Sequence, residues 1–446
     1  MGGRRWFRWM VCAGVCLGFC RTVSAQAPVS GRPGNSVYVD AEAGLTLAAA
    51  IAVGLEREPG LQAARAGVDM ARGERHQAAL RPNPMLGLLR QDQVRGSDSV
   101  AGFDIEWPLD LFRRGSRVAT ADRGVAVAEA ALADERRMRA VDIATAYADL
   151  LGAIRRLEVT DELIAIDRQT VTLLRARVQE GASPVLEQNL AEVELRRAEA
   201  DRFAREAQVE MARIALGRLI GAPVVDGVKV RETLESALAG FTVGAGQDAA
   251  SDRAVIASRS DVRQTQAEVE RAAAAIRSAE SESRPEVGVS ASVMRMRAGF
   301  PQQAFGPAGH LEPIEGLFTN VGFGVTVSLP IRNRNQGMIA TARAGRERAA
   351  LLHEAQVLDA TAELAAARAW DARARQAVAV FASGLRAIAR QNLDVTRETY
   401  NIGAAELRDL LLEQRRYLEV ELAHVDALET AFDARIALAR ALGVLP

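Results

Sequence analysis

The chain carries a displaced copy of itself. Ala212-Arg213-Ile214-Ala215-Leu216 recurs as Ala434-Arg435-Ile436-Ala437-Leu438, and the same shift of 222 residues carries Pro108 to Pro330, Gly115 to Gly337 and Gly181 to Gly403. One pentapeptide in Ala- and Arg-rich sequence arises easily by chance. Four landmarks in one register, spread over half the chain, point to a duplication. The period is far longer than the ~20–50 residues of stacked solenoid repeats. The fold must therefore be two similar, domain-sized halves.

The N-terminus reads as a targeting signal. Arg4, Arg5 and Arg8 precede a short apolar core from Met10 to Phe19, and Val23-Ser24-Ala25 presents small residues for cleavage after Ala25. The apolar run is well short of the ~20 residues of a spanning helix. Cys12, Cys16 and Cys20 all lie in this segment. A mature chain then has no disulfide, thiol nucleophile or thiolate metal site. Leu17 would suit a lipid-acceptor Cys20, but Phe19 is bulky where a small residue is expected, so acylation is not expected.

The remaining composition excludes several functions. Formal net charge is −1, which gives no basic footprint for nucleic acid. His76, His310, His353 and His424 stand at no ligand spacing, and HExxH, CxxC, GxGxxG and Walker-type motifs are absent. These histidines read as surface residues, with no metal, cofactor or enzymatic activity expected. Only 4% of residues are aromatic, a composition that favours long helices over compact cores.

Helical periodicity is strongest between Arg114 and Glu180, where no proline interrupts. Val141, Ala144, Tyr147, Ala148, Leu151 and Ile154, then Leu163, Ile166, Thr170, Leu173 and Leu174, recur at helical spacing. A helix of that span is about 100 Å long at ~1.5 Å per residue. Such a rod must bury its stripe against other rods. Gly181 suits a C-cap, Ser183 an N-cap and Pro184 the first position of a helix returning to about Leu219. The second half predicts a helix from Gly337 to Ile402, a stop at Gly403 and a return from Glu406 to Leu442.

Each half also predicts a β-hairpin. Val321, Phe323, Val325, Val327 and Leu329 alternate with Asn320, Gly322, Gly324, Thr326 and Ser328 over Thr319–Leu329. Over Val100–Leu109, Ala101, Phe103, Ile105 and Trp107 share one face, with Asp104 and Glu106 on the other. Glu286–Met294 alternates similarly, and Met85–Gln91 is the weakest of the four. A longer tip, roughly Arg297 to Phe318, is expected on the second hairpin. An apolar outer face, a small polar inner face and ~10 residues per strand are the pattern of a transmembrane barrel. An ordinary half-buried sheet would show the same alternation. Four strands cannot close in lipid alone, since open edges leave backbone groups unsatisfied.

At this point the chain resembles the TolC-like outer-membrane efflux ducts, over nearly the whole mature sequence. The likeness rests on the repeat, the element order and local segments. These are Leu45-Thr46-Leu47-Ala48-Ala49-Ala50-Ile51, Arg81-Pro82-Asn83-Pro84, Arg177-Val178-Gln179-Glu180-Gly181-Ala182-Ser183-Pro184 and Tyr400-Asn401-Ile402-Gly403-Ala404-Ala405-Glu406-Leu407. The fold expected is mainly α with a small β part, a two-fold repeat of β-hairpin plus long antiparallel helical hairpin. The resemblance implies a homotrimer whose 12-stranded outer-membrane barrel continues as an α-helical periplasmic tunnel. It also implies a periplasmic adaptor at the tips, Gly181, Ala182, Ser183, Gly403, Ala404 and Ala405, and a proton-driven inner-membrane pump behind it. Phe103, Ile105, Trp107, Val321, Phe323, Val325 and Val327 would face outer-membrane lipid.

Glu187 and Asp409 lie six residues beyond their tip glycines, where family members place gate carboxylates, and Tyr400 matches a gate tyrosine. A solvated helix face is the plain alternative for all three. Ala405 stands where some members carry arginine, which puts a salt-bridge latch at that point in doubt. The organisation expected is a signal peptide over 1–25, an N-terminal extension over 26–44, a first repeat over 45–223, a linker over 224–250 and a second repeat over 251–446. The leading function is the passive exit duct of a tripartite efflux pump. Its rivals are the outlet of a protein-secretion system and a non-pore coiled-coil protein. The Arg-Pro-Asn-Pro entry, the non-acylated signal and the tip segment lean toward the heavy-metal cation branch, on resemblance alone.

Overall fold

The computed structural model describes residues 37–94, 96, 98–222, 227–243 and 249–444. The signal peptide, its three cysteines and the Ala25 cleavage site lie outside them. Two short helices open the chain. In α1 (Leu47–Arg57) Thr46 is the N-cap, its hydroxyl accepting from Ala49 N. In α2 (Pro59–Ala79) Glu58 caps and Pro59 takes the first position, where its missing N–H costs nothing. Strands β1 (Met85–Asp92) and β2 (Ser99–Pro108) follow, then the long α3 (Arg114–Gln179) and its return α4 (Val185–Leu219).

Helix α5 (Leu234–Gly240) lies in the segment expected as a linker, which is not a bare connection. Val230 bridges Val39 and Leu45, and Tyr147, fully buried on α3, donates its hydroxyl to Glu232 at 2.9 Å. The second half holds α6 (Ala249–Ser258), α7 (Ser260–Glu282), β3 (Glu286–Phe305), β4 (Leu311–Ser328), α8 (Gln336–Val380), α9 (Arg386–Asn401) and α10 (Leu407–Leu442).

The main apolar core surrounds the middle of α3, from Ala140 to Val159, and draws on α1, the end of α4, α5 and α10. A second cluster nearer the tips joins Ile164, Val171, Leu174, Leu195, Leu393 and Leu410. Every apolar position expected on the α3 stripe is buried or half-buried. His424 corrects the expectation of surface histidines. It lies on the inward face of α10, 6% exposed, with its ring 5.4 Å from that of Phe381.

Three further expectations are corrected. The helix expected from Gly337 to Ile402 is broken: Phe381–Leu385 form one π-turn in which Gly384 adopts φ 132°, outside any helical conformation. Ser183 is not an N-cap. Pro184 holds that position and α4 begins at Val185, because an extended proline already stops the backbone one residue later than expected. The second β-hairpin has no long Gly/Pro-rich tip from Arg297 to Phe318. Pairing continues across a register irregularity at Phe300/Gln303 to Phe305–Leu311, so β3 and β4 hold 20 and 18 residues against 8 and 10 in the first hairpin.

Candidate functional site

The four strands form one antiparallel meander in the order β1-β2-β3-β4, leaving β1 and β4 as edges. Pairing sets the side chains in rows. Leu88, Phe103, Val293 and Val321 lie level on one face, followed by Leu86, Ile105, Ala291 and Phe323, then by Trp107, Val289 and Val325. The opposite face carries Gly87, Asp104, Ser292 and Gly322, then Glu106, Ser290 and Gly324. The apolar face is uncovered in the single chain: Phe323 is 86% exposed and Leu88 81%. Trp107 sits at its lower end, donating Nε1–H to Pro82 O at 3.2 Å. Leu86 and Leu88 were missed in the sequence, where apolar Leu89 on the opposite face hides the alternation of β1.

Both helical hairpins turn by the same device. At the end of α3, Gly181 N–H donates to Val178 O and Ala182 N–H to Arg177 O, with Gly181 at φ 74°. At the end of α9, Gly403 N–H donates to Tyr400 O and Ala404 N–H to Thr399 O, with Gly403 at φ 78°. This is the paired 6→1 and 5→2 cap, which needs a left-handed residue and so favours glycine. Gly221 and Gly443, again 222 apart, close α4 and α10 the same way. A Cβ at Gly181 or Gly403 would meet no atom within 4 Å, so both glycines border open space in the single chain and their left-handed φ alone calls for glycine.

The structure brings two of the three expected gate residues together. Tyr400 is 4% exposed, not solvated, and its hydroxyl donates to Glu187 at 3.4 Å. Burial first, and then the Glu187 charge, pushes the phenol pKa up. Asp409 stays apart, half-exposed and paired with Arg408. Sequence reasoning missed Arg177. Its guanidinium lies 4.9 Å over the Tyr400 ring and donates to Asn401 O at 2.6 Å, so hairpin one supplies a cation at the tip where Ala405 supplies none. Arg397 donates to Gln169 at 2.7 Å and Gln414 to Thr170 at 3.2 Å, adding two more ties between the hairpins. Further up, Asp167 (6% exposed) borders a cavity of about 340 Å³ between α3, α4 and α10. Burial, with the Glu194 charge behind it, pushes this carboxyl up to about 6.

Among the described residues no group of three or more His, Cys, Asp or Glu is arranged to hold a metal ion. No described helix is long and apolar enough to cross a membrane. The model of the outer membrane efflux protein family matches residues 51–222 and 253–444. The chain belongs to the outer membrane efflux protein family. It is similar to the cobalt-zinc-cadmium resistance protein CzcC of Cupriavidus metallidurans, 23% identical over 400 residues that cover 90% of each chain. Among solved structures it shares the fold of CusC (TM-score 0.73, 18% identity, covering 92% of this chain and 95% of that one). It shares it also with the MtrE outer membrane channel of Neisseria gonorrhoeae in its open state (TM-score 0.72, 22% identity, covering 89% and 88%). The chain is thus an outer-membrane efflux channel protein.

Proposed function

We propose that three copies of the chain assemble into the exit duct of a tripartite efflux pump. The observation that carries this is the four-stranded meander, with two unpaired edges and one continuous apolar face, mounted on two long helical hairpins. Edges can be satisfied in lipid only by closing the sheet, and one chain has too few strands to do so. Three chains close a barrel whose outward row is Phe103, Ile105, Trp107, Val321, Phe323, Val325 and Val327. The hairpins then wall a periplasmic tunnel, narrowed by Glu187, Tyr400 and Asp409. The duct performs no catalysis. Its open tips, Gly181-Ala182-Ser183 and Gly403-Ala404-Ala405, dock a periplasmic adaptor that couples it to an inner-membrane pump. Similarity to a cobalt-zinc-cadmium resistance protein favours metal cations as cargo.

The test is assembly followed by transport. Carbonate-washed outer membranes should retain the protein, and mild detergent should release a trimer. A monodisperse monomer that still forms channels would overturn the closure argument. A strain lacking the gene should become sensitive to cobalt, zinc or cadmium; sensitivity to organic drugs alone would remove the metal reading. Ala182→Trp and Ala404→Trp keep the cap glycines and should leave the trimer level unchanged while abolishing tip–adaptor crosslinking.

A further inference from the structure

The second β-hairpin changes sides part-way along its length. Up to the row of Leu88, Phe103, Val293 and Val321 the outward face is wholly apolar. The next outward row is Arg90, Ala101, Arg295 and Thr319, and the one above it Asp92, Ser99, Arg297 and Leu317. The apolar residues move to the other face at the same level: Met294 lies beside Gly102, Met296 pairs with Phe318, and Phe300 with Ile314. The Phe300 and Phe318 rings meet edge-on at 6.1 Å. The inversion marks a sharp upper limit of the face built for lipid.

Three arginines stand at that limit. Arg90 is neutralised by Asp92, through Nη2 to Oδ1 at 2.6 Å. Asp98 is engaged by Gly299 N–H at 2.7 Å. Arg295 and Arg297 are exposed, point the same way two residues apart on β3, and make no ion pair or side-chain hydrogen bond among the described residues. Glu315 is the remaining outward carboxylate nearby, paired across from Gly299 one row higher. Arginine binds phosphate through paired N–H donors and tolerates partial dehydration better than lysine.

We propose that Arg295 and Arg297 form a binding site for the phosphorylated headgroups of the outer-leaflet glycolipid, six arginines circling the trimer just above its apolar belt. The proposal rests on the barrel reading above. It assigns these residues a ligand, where the barrel alone requires only that they be polar.

The test uses the full-length trimer in nanodiscs of phosphatidylethanolamine doped with bisphosphorylated lipid A, or with the same lipid stripped of both phosphates. Native mass spectrometry counts the lipid A retained per trimer. Wild type should retain the phosphorylated form and not the stripped one. The double variant Arg295→Gln/Arg297→Gln should assemble normally and bind the phosphorylated form at least about tenfold more weakly, as expected for two surface cations near an anionic leaflet. Arg90→Gln, whose cation is already paired, should retain it like wild type. Excess inorganic phosphate should not displace the lipid. Equal retention by the double variant, indifference to the phosphates, or displacement by free phosphate would each overturn the lipid site and leave the barrel standing. Failure of wild type to enter membranes would remove both.

Discussion

The two long hairpins share one register and meet different fates. Helix α3 runs unbroken from Arg114 to Gln179, whereas its counterpart stops at Val380, makes a π-turn through Gly384 and restarts at Arg386. The position 222 residues before Gly384 is Glu162, which sits in regular helix. Pairing differs too. In the first hairpin Arg175 binds Glu192 across the hairpin at 2.7 Å. Their counterparts Arg397 and Gln414 do not bind each other; each reaches over to α3, to Gln169 and Thr170. Near the body the contrast reverses. Arg435 binds buried Asp371 in the second half, while the equivalent Arg213 turns to Glu210 and leaves Asp149. Duplicated sequence thus keeps its backbone turns, which depend on neighbours a few residues away. It does not keep its side-chain partners, which depend on what packs alongside. The second hairpin leans on the first at the tip, and only the second has a break about which it could bend.

The strands should show the halves behaving alike, and with the largest effect. Ile105→Arg in the first half and Phe323→Arg in the second, level with each other across Ala291, each put a charge on the apolar face, at about 2–4 kcal/mol per chain near the bilayer midplane. Both should abolish heat-resistant trimer in outer-membrane fractions. Thr326→Arg, on the opposite face level with Gly288, should assemble. Equal assembly of all three would show that the two faces are assigned the wrong way round.

Gly384 sharpens the contrast between the long helices. Alanine there meets no atom but must hold φ 132°, a strain of about 1–3 kcal/mol. Glu162→Gly in the unbroken helix should cost about 1 kcal/mol, the usual penalty of glycine in a helix interior. Denaturant titration of the purified trimer compares them. If Gly384→Ala proves as stable as wild type, the π-turn relaxes into regular helix and the halves differ less than they look.

Smaller effects are expected at the tip. Arg177→Ala removes the bond to Asn401 and the cation over Tyr400, together about 1–2 kcal/mol. It should raise single-channel conductance in planar bilayers. Arg175→Ala breaks an exposed, solvent-screened pair inside one hairpin and should leave conductance alone. Matching conductance for both variants would show that the Arg177 contacts at the tip do not bear on the width of the tunnel mouth.

The remaining effect concerns pH. Asp167 has its carboxyl raised from 3.8 to about 6, mainly by burial. A raised acid contributes stability below the unfolded pKa and loses it as pH rises through the folded one, here between about 4 and about 6. Asp167→Asn should therefore raise the melting temperature at pH 7.5 and change it little at pH 4. A uniform shift at both pH values would mean that the asparagine acts by packing and not by charge.

Much of the architecture was legible in the residues. The 222-residue register, the α3 stripe, the cap glycines Gly181 and Gly403 and the alternation of β2 and β4 all rest on interactions within about one helical turn or one strand pleat, which residue order alone dictates. Packing between distant elements decided the rest. Phe103 faces Val293 across 190 residues of chain, Arg177 reaches Asn401 from the other half, and β3 and β4 pair far beyond the first hairpin because each offers the other an extended partner. The burial of His424 and Tyr400 was equally hidden, since a helix face is named inward or outward only by what lies against it. Local order therefore determined where the chain turns, and tertiary contact determined which of its repeated residues became a tie between hairpins, a helix break or an exposed charge.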